Sequence, residues 1–475
     1  MKDIKVLWFR QDLRISDNPA LYEASKTGNI LPIYIYDNKN SKDYDMGSAS
    51  RCWLYHSLNS LNNALENKLS FYIGEPINIL RELINEYQVN QIYWNRCYEP
   101  WRINRDKNIK EELRSSNIEI NTFNGSLLWE PWETLKDDGT PYRVFTPYYR
   151  KGCSKANPPR KPLSKPNTLN LIADNKHSVK LDKLGLLPKI SWNKKIMRHW
   201  VCGESAAQNR LNDFVNEGLT GYKEGRNFPR KNNVSRLSPH LHFGEISPNQ
   251  IWYAAKDNND CASNDKDHFM SELGWREFSH SLLYHFPELP YKNLQSKFDL
   301  FPWNHDEKKL EAWRHGKTGY PIVDAGMREL WQTGYVHNRI RMVVGSFLVK
   351  NLLIDWRYGE RWFWDCLVDA DLANNSASWQ WVAGCGADAA PYFRIFNPIT
   401  QGNKFDSTGT YTRRYVPELE KLPDKYLFSP WEAPDEVLST ANIELGVNYP
   451  QPIVAASDSR EMALAAFASI KKENV

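Results

Sequence analysis

The stretch from Asp371 to Pro398 is the most distinctive candidate for a binding site in this sequence. It reads DLANNSASWQWVAGCGADAAPYFRIFNP and places Trp379 and Trp381 one residue apart, before a run rich in Gly and Ala. Gly and Ala carry almost no side chain, so a ligand can approach the backbone of such a run closely. Arg394 and Asn397 then supply polar groups in an otherwise apolar neighbourhood. A buried aromatic core that contains one arginine is the alternative interpretation.

Hydroxyl and guanidinium groups cluster in residues 221–229 (GYKEGRNFP) and 234–248 (VSRLSPHLHFGEISP). Ser235 and Ser238 can donate hydrogen bonds to a pyrophosphate. A helix that begins near Pro239 would also present free backbone N–H groups to that pyrophosphate. Because Ser before Pro is also common as a plain helix cap, the SRLSP string has a structural interpretation as well.

Two further pairs of polar residues could bind a ligand. Asn338 and Arg341 lie three residues apart near the end of GYPIVDAGMRELWQTGYVHNRIRM (319–342), so they share one face of a predicted helix. Asp369 and Asp371 come from a loop at the start of the tryptophan-rich stretch. A buried structural salt bridge is the alternative to a ligand site here.

Several of these strings resemble one known family. Residues 371–398 and residues 319–342 independently resemble the flavin domain of the photolyase/cryptochrome family. The opening WFRQDLRISDNPAL (8–21) and the segment WNRCYEPWRINRD (94–106) are also similar to that family. The resemblance covers nearly the whole chain and is strongest over 221–417. It implies a flavoprotein whose cofactor is FAD, active in its reduced form.

The resemblance also implies which residues bind the FAD. Arg341 and Asp369 would pair beside the isoalloxazine ring, and Asp371 would reach the polar edge of the ring. Val234 stands where a hydroxyl residue is common in the family, which would remove one phosphate contact. The full implied set is Tyr222, Val234, Ser235, Arg236, Leu237, Ser238, Asn338, Arg341, Asp369, Asp371 and Asn375.

Asn375 separates the functions found in this family. By resemblance, members that repair DNA have Asn opposite the flavin N5, whereas plant-type cryptochromes have Asp and animal ones have Cys. An amide can hydrogen-bond the reduced, anionic flavin without delivering a proton, whereas an Asp that becomes protonated can donate one. Asn375 therefore favours a fully reduced working flavin, although an Asn that only caps a helix is the alternative.

Three tryptophans match the electron-transfer triad of the family. Trp379 would lie nearest the flavin, Trp356 in the middle and Trp303 outermost. Such a chain would recharge the flavin by photoreduction and would not itself perform repair. Without the resemblance, all three would be interpreted as core residues.

The substrate side needs positive charge for phosphates and flat surfaces for a flipped nucleotide. The resemblance implies that Trp275 and Trp381 stack on the lesion. Glu272 would hydrogen-bond the carbonyl of the dimer and stabilise the charge that arrives with the electron. The remaining implied DNA contacts are Arg226, Arg276, Asn338, Arg339, Met342, Arg394 and Gln401.

The same positions discriminate between DNA lesions. The (6-4) photolyases have two histidines where this chain has Asn338 and Met342, so no histidine can act as a proton donor at those sites. His337 is adjacent, but on a helix it would point about 100° away. The expected substrate is therefore the cyclobutane pyrimidine dimer, whose repair requires an electron given and returned, with no obligatory acid.

Composition limits the class of protein. A length of 475 residues favours two domains. The net charge of +4, from 61 basic and 57 acidic residues, neither proves nor excludes DNA binding. The seven cysteines contain no CxxC pair, so neither a disulfide framework nor a metal site is predicted. No apolar run approaches membrane-spanning length and no signal peptide is present, so a cytoplasmic protein is expected.

The first third of the chain alternates short apolar runs with amphipathic stretches. This pattern predicts a parallel sheet with crossover helices, hence a Rossmann-like α/β domain. The predicted strands are Val6–Phe9, Leu31–Tyr36, Phe71–Ile73, Gln91–Trp94 and Ile118–Phe123, and the predicted helices are Arg51–Leu65 and Pro76–Tyr87. From Glu204 onward helices dominate. The predicted boundaries are an α/β antenna-type domain at 1–130, an interdomain linker at 131–200 and an all-α FAD- and lesion-binding domain at 201–475.

Together these features predict a monomeric DNA photolyase that acts on cyclobutane pyrimidine dimers in UV-damaged DNA. A second, antenna chromophore is a further expectation, either a folate such as methenyltetrahydrofolate or a deazaflavin. Trp101 and Arg102 stand where some folate-binding members have an amide and a carboxylate, so no antenna residues are assigned. The alternatives are a cryptochrome-like blue-light sensor without repair activity and a nucleotide-binding enzyme unrelated to light.

Overall fold

The computed structural model describes residues 4–389, 391–392 and 394–472, with the side chains of Lys42, Lys471 and Lys472 left out. Ala390 and Phe393, which belong to the tryptophan-rich stretch, therefore lie outside the described residues. The chain forms two compact units that alternate along the sequence. Unit 1 comprises Met1–Thr220, Ser235–Pro287 and Val368–Ala373, and unit 2 comprises Gly221–Val234, Glu288–Leu367 and Asn374–Val475. The boundaries predicted at 130 and 200 remain predictions.

Unit 1 contains a five-stranded parallel sheet. Its strands are β1 (Ile4–Phe9), β2 (Asn29–Tyr36), β3 (Ser70–Ile73), β4 (Gln91–Asn95) and β5 (Glu119–Phe123), in the spatial order β3-β2-β1-β4-β5. In the register, Val6 of the central strand pairs with Leu31 on one side and Ile92 on the other. All five predicted strands and the Rossmann-like layer are confirmed.

Helices make up most of the remaining described residues. Those of the first half are α1 (Pro19–Ala24), α2 (Ser48–Ala64), α3 (Pro76–Tyr87), α4 (Pro100–Ser115), α5 (Phe145–Pro147), α6 (Asn193–Met197), α7 (Glu204–Asp213), α8 (Tyr222–Gly225), α9 (Ser238–Phe243) and α10 (Pro248–Lys256). The predicted helix over 76–87 is confirmed to the residue. Proline at its first position has a preset φ and needs no N–H partner there, and Ile79, Leu80 and Leu83 form its buried side.

The helices of the second half follow the sequence pattern closely. They are α11 (Ser263–His285), α12 (Glu307–Arg314), α13 (Pro321–Thr333), α14 (Asn338–Ser346), α15 (Trp356–Cys366), α16 (Leu372–Ala383), α17 (Pro398–Phe405), α18 (Thr410–Tyr415), α19 (Asp435–Thr440) and α20 (Ala456–Lys472). Helix α14 is followed directly by a π-helical turn, Phe347–Asn351. In unit 2, Gly326 lets α13 approach α14 closely, since an added Cβ would lie 2.4 Å from Ile340.

The proline-rich segment 153–167 is irregular from residue 156 onward, yet specific hydrogen bonds hold it. The buried carboxylate of Asp17 accepts the Leu163 N–H at 2.7 Å and pairs with Arg160. The Pro159 carbonyl accepts the Tyr253 hydroxyl at 2.6 Å. These contacts attach the segment to other parts of unit 1.

In the described part of the chain, no helix is both long and apolar enough to cross a membrane. Among the same residues, no group of three or more His, Cys, Asp or Glu side chains is arranged to hold a metal ion.

Candidate functional site

The loop predicted to bind a pyrophosphate has an unusual backbone. Arg236 has φ +52°, in the left-handed region that non-glycine residues rarely occupy and that recurs at ligand sites. Its guanidinium lies 4.6 Å from the centroid of the Trp200 ring. Helix α9 then begins at Ser238, and its N-cap residue, Leu237, supplies no side-chain cap. Ser238 is therefore not a plain helix cap; its hydroxyl donates to Asp369 Oδ2 at 2.5 Å.

Asp371 lies between two imidazoles of unit 1. Its Oδ2 is 3.5 Å from His242 Nδ1 and 3.6 Å from His280 Nε2. Burial alone would raise the pKa of the Asp371 carboxyl, but the two imidazoles bring that pKa well below its usual value. Asp371 is therefore an anionic hydrogen-bond acceptor in the structure. Neither histidine was picked out from the sequence, where nothing in the spacing links them to Asp371.

Arg341 lies on α14 in unit 2 and has a fixed orientation. Its Nε donates to the Val336 carbonyl at 2.7 Å, and its guanidinium lies 5.1 Å from the centroid of the Tyr335 ring. Helix α14 carries Asn338 and Arg341 three residues apart, as expected. The pairing of Arg341 with Asp369 remains a prediction.

Asn375 lies inside α16, so it does not cap that helix. It is buried, and its Nδ2 donates to the Glu360 carbonyl at 3.0 Å. A backbone carbonyl can only accept, so this bond fixes which end of the amide is nitrogen. Oδ1 is the end that remains for a ligand. An amide oxygen can accept a hydrogen bond from an N–H group but cannot deliver a proton.

Glu360 is a functional candidate that the sequence did not reveal. Its buried carboxylate accepts a hydrogen bond at 2.9 Å from the hydroxyl of Ser376, the residue that follows Asn375. Burial raises its pKa to about 7. The surrounding string, WRYGERWFW, shows only a charged residue in an aromatic helix, so no sequence signal marks this contact.

Replacement of Glu360 by Gln is expected to change how stability depends on pH. Because the folded state holds this pKa above its unfolded value of about 4.5, the neutral acid is favoured and stability falls as pH rises through 7. The loss begins near pH 4.5 and is complete above pH 7, so Glu360→Gln should match the native chain near pH 4 and exceed it by about 3 kcal/mol near pH 8. Denaturant unfolding across this pH range measures the difference in free energy of unfolding between the two proteins. A difference that does not change with pH would contradict the prediction.

The three triad tryptophans all lie in unit 2. Trp379 packs edge-to-face against Phe363 at 5.0 Å and Trp313 at 6.2 Å between ring centroids. Trp356 is fully buried, and its Nε1 donates to Asn293 Oδ1 at 2.9 Å. Trp303 is half-buried, with its ring centroid 4.4 Å from that of Phe301. The order of electron transfer through these residues remains a prediction.

The lesion residues assigned to α11 are in unit 1. Trp275 stacks on Phe145 with centroids 3.8 Å apart and planes 12° from parallel. One face of the indole is therefore covered, and a base can stack only on the other face. Glu272, one turn earlier on the same helix, is half-buried. The Arg276 guanidinium is engaged by the buried Glu277 carboxylate at 2.8 Å.

A second group of predicted substrate residues lies in unit 2. Arg339 donates to Asn227 Oδ1, lies over the Phe405 ring at 4.4 Å and contacts Met342 Sδ at 3.8 Å. Burial and the nearby positive charge of Arg226 lower the pKa of Arg339. Two guanidiniums close enough to repel each other form a site that an anion would stabilise.

The remaining predicted residues have simpler surroundings. Trp381 and Gln401 are half-buried, and Arg394 is exposed. The expectation that His337 lies within the helix and points away from Asn338 was wrong. His337 is the buried N-cap of α14, and its Nδ1 accepts the Arg339 N–H at 3.2 Å.

Comparison with known proteins identifies the class of protein. Residues 5–167 match the family described as DNA photolyase, and residues 269–469 match the FAD binding domain of DNA photolyase. The chain belongs to the photolyase/cryptochrome family, so the predicted family, fold class and FAD-binding domain are confirmed.

Within that family, similarity is greater to a photolyase than to the cryptochromes compared. A deoxyribodipyrimidine photo-lyase of Agrobacterium fabrum is 49% identical over 98% of both chains. Cryptochrome-1 of Arabidopsis thaliana is 36% identical over 96% of this chain and 69% of its own length. The structure of a bacterial class III photolyase from Agrobacterium tumefaciens superposes with a TM-score of 0.95 over 99% of this chain and 98% of the other, at 49% identity. An archaeal photolyase from Sulfolobus tokodaii, solved with two FAD molecules, has a TM-score of 0.82 and 31% identity over 98% of this chain and all of its own.

Proposed function

We propose that this chain is a deoxyribodipyrimidine photolyase that splits cyclobutane pyrimidine dimers in UV-damaged DNA under blue light. It works as a monomer in the cytoplasm. The observation that carries the proposal is the orientation of Asn375, whose amide oxygen is the end left for a ligand. A reduced flavin carries an N–H at N5, so this oxygen matches the reduced cofactor and supplies no proton to it.

When bound and reduced, FAD supplies the electron that light promotes into the dimer. The residues assigned above provide the rest of the chemistry. The Ser235–Ser238 loop and α9 bind the pyrophosphate, while Arg341, Asp369 and Asp371 orient the isoalloxazine. As a neutral carboxylic acid, Glu272 donates a hydrogen bond to the dimer carbonyl as negative charge arrives there.

The flipped dimer is held by stacking and by phosphate contacts. The uncovered face of Trp275 and the ring of Trp381 stack on the bases, and Met342 packs beside them. Phe145 supports Trp275 from behind at 3.8 Å, which fixes the plane of the indole. The phosphate and base contacts assigned to polar side chains are Arg226, Arg276, Asn338, Arg339, Arg394 and Gln401.

Lesion specificity can be tested with two oligonucleotides that each carry one defined lesion. Because neither Asn338 nor Met342 can donate a proton as a histidine would, the reduced protein should repair the cyclobutane dimer and leave the (6-4) photoproduct intact under blue light. Repair of the (6-4) photoproduct at a comparable rate would contradict the assignment. The antenna chromophore, a folate or a deazaflavin, remains an expectation from the family resemblance.

Replacement of Arg339 by Gln is expected to weaken binding to dimer-containing DNA. Loss of one charge-assisted phosphate contact costs about 1.5 kcal/mol, or roughly tenfold in affinity. The slope of log K against log salt should fall by about 1. Titrations of labelled duplex at several salt concentrations measure both quantities in the dark.

The matched control for this variant is Arg314→Gln. Arg314 is another unit 2 arginine, but the carboxylates of Glu307 and Glu311 already neutralise it. It should bind damaged DNA like the native chain. An Arg339 variant with unchanged affinity and an unchanged salt slope would remove Arg339 from the interface.

A cryptochrome-like sensor is the second candidate function. The 36% identity to a plant cryptochrome shows that the fold alone does not exclude it. Asn375 and the set formed by Glu272, Trp275, Trp381 and Met342 argue for repair, because a sensor needs no lesion-binding residues. A sensor would also bind damaged and intact DNA equally.

A further inference from the structure

A small cavity in unit 1 reaches the Asp371 carboxylate. It has a volume of about 20 Å³, enough for one water molecule, and is partly open to solvent. The titratable and charged side chains that line it are Cys97, Tyr98, Glu99, His242, Arg276, His280 and Asp371. The cavity thus gives water a route to the Asp371 carboxylate.

His280 has only one nitrogen free to change its protonation. Its Nδ1 lies 2.9 Å from the Arg276 carbonyl, which can only accept, so Nδ1 carries a hydrogen. Its Nε2 is 3.6 Å from Asp371 Oδ2. A proton bound at Nε2 therefore creates an imidazolium–carboxylate pair, and its loss leaves a lone pair facing the carboxylate.

Arg276, Glu99 and Tyr98, which also line the cavity, are engaged elsewhere. Arg276 pairs with Glu277, which is buried and also faces His280. Glu99 pairs with Arg102. The Tyr98 hydroxyl donates to Glu130 at 2.6 Å, and His242 is the second imidazole on Asp371, at 3.5 Å. A neutral His242 can already donate to Asp371 from Nδ1. His280 has its Nδ1 hydrogen on the Arg276 carbonyl, so it can donate to Asp371 only after Nε2 binds a second proton.

We propose that His280 is the site of a proton uptake coupled to reduction of the flavin, acting through Asp371 as a positioning residue. This inference rests on the proposed position of Asp371 at the polar edge of the isoalloxazine. Full reduction of FAD to its anionic form consumes two electrons and one proton and leaves a negative charge on the ring. That charge lies near the Asp371 carboxylate, and a second proton, taken from water through the cavity onto His280 Nε2, offsets the repulsion.

The coupling is measured as the pH dependence of the flavin midpoint potential in the FAD-loaded protein, with dithionite as the source of both electrons. Within roughly pH 5 to 8, where imidazoles titrate, the native protein should take up two protons per two electrons over part of the range. His280→Gln should take up one proton throughout. His280→Arg should also take up one proton. Because the charge of arginine is permanent, the flavin midpoint potential of this variant should lie above the native value at the alkaline end of the range.

His285→Gln is the matched control, since His285 lies on the same helix and contacts the Pro131 carbonyl, away from the cavity. The His285→Gln protein should keep the native slope of midpoint potential against pH. Equal slopes in the native and His280→Gln proteins, both with full FAD content and native circular dichroism, would overturn the inference. Dimer repair by the same samples keeps the two proposals apart. Intact repair with no extra proton overturns only the role of His280, whereas an extra proton without repair overturns only the proposed enzyme activity.

Discussion

Replacement of Glu272 by Ala is expected to lower light-driven dimer repair by roughly 100-fold and to leave the flavin absorption spectrum unchanged. The magnitude is that of removing one preorganised group from the place where negative charge develops. Glu272 lies on α11 one turn before Trp275, whose ring plane Phe145 fixes, so the helix presents carboxyl and indole together. Repair is measured with prereduced protein under limiting blue light, so that photoreduction does not enter the rate.

The control for this variant is Asp267→Ala, because Asp267 is an exposed carboxylate on the same helix. It should repair dimers at the native rate. Glu272→Gln keeps a hydrogen-bonding side chain of the same size and should fall between the two. Native repair by the Glu272→Ala protein would remove this residue from the reaction.

Replacement of Trp379 by Phe should remove most light-driven reduction of the oxidised flavin, while chemically reduced protein still repairs dimers. Phe keeps an aromatic ring against Phe363 and Trp313, but it is far harder to oxidise than indole. The expected result separates recharging of the flavin from repair. Absorbance of the oxidised flavin, followed under blue light with an external reductant, reports the first step, and dimer loss reports the second.

Two further variants make this test sharper. Gly359→Ala keeps every tryptophan but would place a Cβ 2.2 Å from Trp379 Cη2, so the indole must shift and photoreduction should slow. Trp252→Phe alters a tryptophan of unit 1 that packs on Trp129 and should have no effect. Unimpaired photoreduction in Trp379→Phe would contradict the assigned electron-transfer chain.

The sequence was sufficient to predict the sheet and several of the longer helices. Strands buried on both faces leave continuous apolar runs, such as Val6–Phe9, and these runs identify a parallel layer without help from homology. Long amphipathic helices are similarly visible, as at 76–87. The end of α14 could not be foreseen, because a π-helical turn uses the same apolar residues as the helix before it.

The contacts that give the site its chemistry were less predictable. The carbonyl of Glu360 orients Asn375 from 15 residues away, and Phe145 supports Trp275 from a distant part of the chain. The same holds for His280 and Asp371, which packing brings together. Pattern and spacing report local periodicity, whereas these pairings depend on tertiary structure. The resemblance proposed the site residues, but it gave no sign of the groups that orient or charge them.

Light-dependent repair tests the central claim most directly. The purified protein, with its FAD reduced, is mixed with UV-irradiated oligo(dT); half is exposed to blue light, and absorbance near the thymine band is followed. Recovery of absorbance in the light but not in darkness is the predicted result. No recovery from protein that still carries reduced FAD would contradict the account and favour the light sensor.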